Sequence, residues 1–399
     1  MAFDREGIDE IFEYVSRTLD ISDKLFSRAE AEYKALGDWI SEQTSADDTN
    51  NNYEVEIYPQ GSFALGTVIK PISDEDDYDL DILCEMKRDY GFDARFLKCN
   101  VVLNWLRTYR EIKSIVNKRR CWHVEYKGMS NFHMDVIPSV NGFAENQPIK
   151  ITEHYKKADT YRYVLSNPYG YRCWFLKQCQ NQLTRLQKVV KSQSLILAEA
   201  EIEQLSKHRI KTHLQRSIQL LKRHRDVIFN NYPDESEAND GLSKNDKPIS
   251  IIITTLAGEC CSDCDSIIET LSCFSSRAES YLNSNFVDGK YHVTNPSYTG
   301  ENFADKWNEN PNKKQAFDIW LHHVAEDFRE ERLLSLDRTG MFKEIKRLFG
   351  ENIGIQVIKE MQLLDNEAIK RGEMSLNPNT GMISASGVIR IPSNHHYHC

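Results

Sequence analysis

Apolar residues recur along this chain with two different periods, and the change of period divides it. Ile8, Ile11, Phe12 and Val15 return at helical spacing, and Leu25, Ala29, Tyr33, Leu36 and Ile40 do so after Ser22. Residues 4–43 therefore read as two amphipathic helices. Thr44 to Asn52 is polar and reads as a loop. Alternation then takes over. Asp79 and Asp81 share one face of a strand, while Tyr78, Leu80 and Ile82 point the other way into a core. Phe132, Met134 and Val136 form a second apolar face, with Asp135 opposite, between His133 and Ile137. The run Cys121–Tyr126 also alternates and Lys127–Ser130 supplies a turn, so the two runs are expected to form a hairpin that brings Asp135 beside Asp79 and Asp81. A helix marked by Phe96, Leu97, Val101, Trp105 and Tyr109 interrupts the strands. Helical patterns dominate from about residue 170 to about 370, and no internal repeat is visible. The tail from Gly372, with Asn377-Pro378-Asn379-Thr380-Gly381, is expected to be extended or mobile.

The chemistry sits where the alternation begins. Gly61-Ser62-Phe63-Ala64-Leu65-Gly66-Thr67 reads as a glycine-serine turn feeding a short helix, which offers backbone N–H groups and a hydroxyl to phosphate oxygens. An Asp-X-Asp by itself is usually a solvated turn, and Asp74-Glu75-Asp76-Asp77 reads as one. Here the Gly-Ser turn, the apolar alternation and a third aspartate join it. Three crowded carboxylates repel each other unless cations sit between them. Two Mg²⁺ ions, typically ~3.5–4 Å apart, would clamp a triphosphate and polarise an attacking hydroxyl. Mn²⁺ can stand in for Mg²⁺.

A second helix pattern carries cations. Thr212 and Gln215 form a capping-box pair, Leu214, Ile218, Leu221 and Ile228 repeat on the buried stripe, and Lys222 falls on the neighbouring polar stripe with Gln215, Gln219 and Asp226. After a polar stretch, another helix begins at Ile249-Ser250, with Ser250 in the first turn, where free N–H groups favour anions. On residue types alone, Lys222 and Ser250 are equally a surface lysine and an ordinary capping serine.

Gly61-Ser62, Thr67, Asp79-Leu80-Asp81 and Asp135 resemble the active site of the DNA-polymerase-β-like nucleotidyltransferases. The longer string, from Gly61-Ser62-Phe63 through Gly66-Thr67, Asp77-Tyr78-Asp79-Leu80-Asp81 and Asp135-Val136-Ile137-Pro138, is similar to the bacterial CD-NTases, relatives of animal cyclic GMP-AMP synthase and oligoadenylate synthase. Asn167-Pro168-Tyr169-Gly170, Leu220–Asp226 and Glu301–Trp307 extend the likeness, which covers about 55–310. The resemblance implies an α+β fold: a polymerase-β-like nucleotidyltransferase core with a mixed sheet, packed against a helical lobe. It places N-terminal helices bridging the lobes in 1–44, the catalytic core in 45–165, the helical lobe in 166–371 and the tail in 372–399. It also implies that ATP, GTP or other NTPs are joined into a cyclic di- or trinucleotide with loss of pyrophosphate, in antiphage signalling. Asp79, Asp81 and Asp135 would hold the metal, and Gly61, Ser62, Thr67, Lys222 and Ser250 the nucleotide. In some such operons the C-terminus is attached to targets by a ubiquitin-transfer-like partner.

Composition narrows the alternatives. With 50 Lys and Arg against 60 Asp and Glu, the net charge of −10 speaks against gripping nucleic acid. The start, Met1-Ala2-Phe3-Asp4-Arg5-Glu6, does not read as a signal peptide and no apolar stretch is long enough to span a membrane, so the expected compartment is the cytoplasm and the ten cysteines are expected to be reduced. Cys260-Cys261…Cys264 has one pair at Cys-X-X-Cys spacing, and His395-His396-Tyr397-His398-Cys399 ends the chain. Both resemble metal clusters, but without a second Cys-X-X-Cys pair the plainer reading is buried free thiols. The same three aspartates would serve a nucleotidyltransferase acting on an RNA, protein or small-molecule acceptor. A catalytically silent nucleotide sensor is the reading from another class, although such copies usually lose an aspartate.

Overall fold

The computed structural model describes residues 3–45, 53–72, 78–127, 132–141, 147–180, 211–234 and 241–370, together with 375–376, 383–384 and 389–390. Helix α1 (Arg5–Thr18) is N-capped by Asp4, whose carboxylate accepts from the Gly7 N–H, and α2 (Asp23–Ser45) follows it. A seven-stranded sheet is built from β1 (Val55–Pro59), β2 (Tyr78–Met86), β3 (Ile112–Asn117), β4 (Trp122–Tyr126), β5 (Phe132–Val140), β6 (Ile149–Tyr155) and β7 (Thr160–Ser166). Its order is β1-β2-β5-β4-β3, with β6 pairing β5 and β7. The β2–β5 pair is parallel and the others are antiparallel, so the sheet is mixed.

Strands β4 and β5 do form the expected hairpin, and β5 lies directly between β4 and β2. Both faces of β2 are covered beyond Asp81, which is why the strand continues as an apolar run. Leu80, Ile82, Cys84 and Met86 pack under α2, while Leu83 meets Ile137, Ile149 and Ile151. The short helix α3 (Gly61–Ala64) joins β1 to the segment before β2. Helices α4 (Ala94–Phe96) and α5 (Leu103–Thr108) flank a π-helical stretch, Leu97–Val102. The wider turn alters the helical spacing, so Leu97, Lys98, Val101 and Val102 are buried while Phe96 stays 44 % exposed.

The helical lobe begins with α6 (168–180) and continues with α7 (His213–Asn230), α8 (Ser250–Cys261) and α9 (Ile267–Ser284). Helices α10 to α14 (Asp305–Glu309, Pro311–Asp327, Glu330–Leu334, Arg338–Phe349 and Glu351–Lys370) complete it. Two short hairpins interrupt what the sequence pattern gives as helix alone: β8 (Phe286–Val287) with β9 (Lys290–Tyr291), and β10 (Thr294–Asn295) with β11 (Tyr298–Asn302). Asp288 and Gly289, both at positive φ, make the first turn. Ile8, Phe12 and Val15 of α1 belong to the core of this lobe, whereas Ala29, Leu36 and Ile40 of α2 pack against the sheet. In the tail, Ser375–Leu376 pairs with Ile383–Ser384 and Ile389–Arg390; the terminal His395–Cys399 lies outside the described residues.

Candidate active site

The register of three strands assembles the acidic cluster. Asp79 lies opposite His133 and Asp81 opposite Asp135 across the parallel β2–β5 pair, and His123 lies opposite Asp135 across β4–β5. Two rows of polar side chains result on one face: Asp79 with His133, and Asp81 with Asp135 and His123. Carboxylate oxygens of Asp79, Asp81 and Asp135 fall within 4.8 Å of one another. Asp135 is held from two sides, by the His123 Nδ1 at 2.9 Å and by the Cys121 thiol, which donates to its Oδ2 at 3.1 Å. The His133 Nε2 approaches the Asp79 Oδ1 at 3.3 Å. Burial, then the charges of Asp79 and Asp135, push the Asp81 carboxyl well above its usual range. Such a set is stable as three carboxylates only when cations join it. Oxygen donors of this kind fit hard divalent ions, and His123 and His133 beside Asp135 widen the fit to Mn²⁺.

The glycine of α3 is dictated by this cluster. Gly61 has φ +60°, and a Cβ there would sit 2.3 Å from the Asp81 Oδ2. The Gln60 N–H donates to the Asp81 carbonyl at 2.8 Å, so the turn is fastened to β2. The first-turn N–H groups of α3 have no partner within the helix.

Helix α7 supplies the opposite wall. Thr212 and Gln215 form the capping box, the Gln215 N–H donating to the Thr212 hydroxyl at 3.2 Å and the Thr212 N–H to Gln215 Oε1 at 2.9 Å. Its polar stripe is buried rather than solvated, because it satisfies carbonyls of the 65–71 segment. Gln215 Nε2 donates to the Leu65 carbonyl and Gln219 Nε2 to that of Val68, both at 2.8 Å, and an Arg223 guanidinium nitrogen reaches the carbonyls of Lys70 and Pro71. Lys222 Nζ donates to the carbonyl and hydroxyl of Thr67 at 3.0 and 3.1 Å. Thr67 is fully buried and lines neither cavity described below. Its place is behind Lys222, whereas the resemblance implies one against the nucleotide. Burial, reinforced by Arg225, brings the Lys222 ammonium down to about 7.

Two cavities meet at this turn. One of about 440 Å³ is lined by Ser62, Asp79, Lys222, Arg225, Lys244, Lys247 and Ser250. The other, about 270 Å³, contains Gly61, Asp81, Arg120, Tyr169, Arg172 and Phe303. Ser250 is the first residue of α8, and its hydroxyl accepts from Arg225 Nη1 at 3.0 Å. Arg225 also donates to the Pro248 carbonyl and pairs with Asp226, which Lys247 reaches at 3.1 Å. The structure brings together the expected aspartates, Gly61, Ser62, Lys222 and Ser250, and sets beside them His123, Arg225 and Lys247, which the sequence pattern did not single out. For His133 a signal existed, since it precedes Asp135 by two on the same strand face.

Residues 55–138 match the family model of the nucleotidyltransferase domain of DncV-like cyclic GMP-AMP synthases. A c-di-GMP synthase of Roseivirga ehrenbergii is 28 % identical over 81 % of this chain and 79 % of its own length. The cyclic dinucleotide synthase CdnG of Bradyrhizobium diazoefficiens is 22 % identical over 76 % of this chain and 71 % of its own. The structure of that CdnG in complex with GTP superposes with a TM-score of 0.67 at 20 % identity, covering 89 % of this chain and 99 % of CdnG. The matched catalytic domain, relatives aligned over most of the chain and a shared fold together make this chain similar to the bacterial CD-NTase nucleotidyltransferases.

Proposed function

We propose that this chain joins nucleoside triphosphates into a cyclic di- or trinucleotide and releases pyrophosphate. The observation that carries the proposal is the carboxylate triad standing between two cavities, one cationic and one with aromatic walls. The donor triphosphate fits the cationic cavity, with Lys222, Arg225, Lys247 and the hydroxyls of Ser62 and Ser250 around it. The acceptor nucleotide fits the other, where Tyr169 and Phe303 offer rings for a base and Arg172 a charge. Asp79, Asp81 and Asp135 would hold Mg²⁺, which when bound neutralises the triphosphate and acidifies a ribose hydroxyl. The acceptor oxygen forms a bond to the α-phosphorus as the bond to the β-phosphate oxygen breaks. The hydroxyl proton passes to Asp135, whose orientation His123 fixes. A second round closes the ring. Positioning and charge neutralisation carry most of the catalysis.

The names of the relatives make GTP the first substrate to try, with ATP beside it. Incubation of the pure chain with labelled GTP, ATP and Mg²⁺ is expected to give a phosphatase-resistant product and pyrophosphate, both lost in the Asp79→Asn/Asp81→Asn variant. Labelling of an added RNA or protein acceptor without such a product would move the chain to the tailing or modifying class, and binding without turnover to the sensor class. The antiphage role belongs to the same proposal; its check is phage plating on cells that carry the native operon or that variant.

A further inference from the structure

The junction of α8 and α9, away from the cleft, gathers a second set of ligand atoms. The Cys261 Sγ is 3.8 Å from the Cys273 Sγ, the Cys264 Sγ is 3.5 Å from it, and all three sulfurs lie within 4.8 Å of one another. The local fold explains the grouping. Cys261 ends α8, the Cys264 N–H donates back to the Cys261 carbonyl at 3.2 Å, and this turn folds the Cys-X-X-Cys pair onto one side. Ser266 then caps α9 by accepting from the Glu269 N–H, and Cys273 faces the pair from that helix. Because Cys273 stands alone in an ordinary helical pattern, only the fold reveals it as the third member.

We propose that Cys261, Cys264 and Cys273 bind one Zn²⁺ that staples α8 to α9. A Zn–S bond of ~2.3 Å sets the sulfurs of a tetrahedral site about 3.8 Å apart, so the ion enters without a backbone shift. Cys261 and Cys264 are closed to solvent while Cys273 is partly open, which leaves a path for the metal. Three thiolates and a dication carry one net negative charge. Arg277 stands one turn beyond Cys273, its Nη1 bound to the Cys260 carbonyl at 2.8 Å and to Asp263 Oδ1 at 2.6 Å, and brings a cation beside the site that lessens the net negative charge. The Asp263 Oδ1 is also 4.0 Å from the Cys264 Sγ, so that carboxylate or a water completes the four ligands. Since α8 begins at Ser250, the staple fixes the far end of the helix that faces the cationic cavity.

The test uses the full chain, reduced and stripped of metal, then titrated with Co²⁺. One equivalent is expected to give a thiolate charge-transfer band with the intense visible bands of a tetrahedral ion, and Zn²⁺ should erase both. Cys273→Ser should lose the bands, whereas deletion of Ser393–Cys399 should keep them, separating this cluster from the histidine-rich terminus. Absence of the bands, their survival in Cys273→Ser, or their loss with the deletion alone overturns the proposal. If that variant does not fold, thiol counting on the native wild type decides: at least one fewer cysteine, the partly open Cys273, should react with Zn²⁺ present than after stripping, and equal counts refute the site.

Discussion

Lys222 and Asp81 face each other under opposite pressures, and the balance has a consequence for pH. Burial and Arg225 bring the Lys222 ammonium down to about 7, so the empty site loses that charge as pH rises past neutrality. A triphosphate binds the charged form, so KM for NTP should rise on the alkaline side of about 7. Asp81 works with the other sign. Its carboxyl is pushed up by burial and by Asp79 and Asp135, so it must shed a proton before it can ligate a metal, and metal loading should strengthen as pH rises. A bell-shaped profile of kcat/KM is expected, with Lys222 on the descending limb. Lys222→Ala should flatten that limb and raise KM more than it lowers kcat. Charge-assisted hydrogen bonds contribute ~1.5–3 kcal/mol, so the loss in kcat/KM should be roughly ten- to a hundredfold. An unchanged alkaline limb would assign it to another group. The Asp79→Asn/Asp81→Asn chain should melt near the wild type, since both side chains line the cleft, yet make no product. Turnover by that folded variant would remove the aspartates from the site.

At the scale of elements, the joint between α3 and β2 sets the geometry. Gly61→Ala would put a left-handed alanine, costing ~1–2 kcal/mol, against the Asp81 carboxylate. Synthesis is expected to fall at least about tenfold with only a small drop in Tm; activity within twofold of wild type would mean that Asp81 need not stay where it is. This joint was readable in the sequence because its signals are local: alternation around Asp79 and Asp81, and a Gly-Ser turn before them. What depends on pairing between distant segments was not. The parallel β2–β5 register leaves no periodicity, so nothing local sets Asp81 opposite Asp135, while the expected β4–β5 hairpin does carry His123 to Asp135 once its register is known. The polar stripe of α7 reads as solvated until the 65–71 segment, whose carbonyls lack a strand partner, is laid across it. The helix marked by Phe96 to Tyr109 does form, but the π-helical stretch within it is one that no propensity marks.

Across the whole molecule, the two cores are tied by the N-terminal helices, α1 packing in one and α2 in the other. Asp20, in the link between them, is the knot. It receives Lys211 Nζ, Arg216 Nη1 at 2.7 Å and Gln219 Nε2 at 2.8 Å, and Lys70 Nζ binds the neighbouring Thr18 carbonyl at 3.0 Å. Burial pushes the Asp20 carboxyl up, but Lys211 and Arg216 more than offset this and hold it below its usual range. A group depressed in the folded state stabilises above its unfolded pKa, and that contribution is lost as pH falls through the folded value, so this knot holds at neutral pH and loosens only in acid. Asp20→Ala removes the carboxylate shared by two buried cations, Lys211 with 6 % and Arg216 with 2 % of the side chain exposed, although Arg216 keeps Glu13 at 3.6 Å. Breaking a buried pair in this way costs ~3–5 kcal/mol. Denaturant unfolding at pH 7 should show that loss, and the difference between variant and wild type should begin to shrink below about pH 4, where Asp20 of the unfolded chain takes up its proton, and vanish once pH falls past the lower folded value. A loss under about 0.5 kcal/mol at pH 7, or one that does not change in acid, would mean that packing alone joins the lobes.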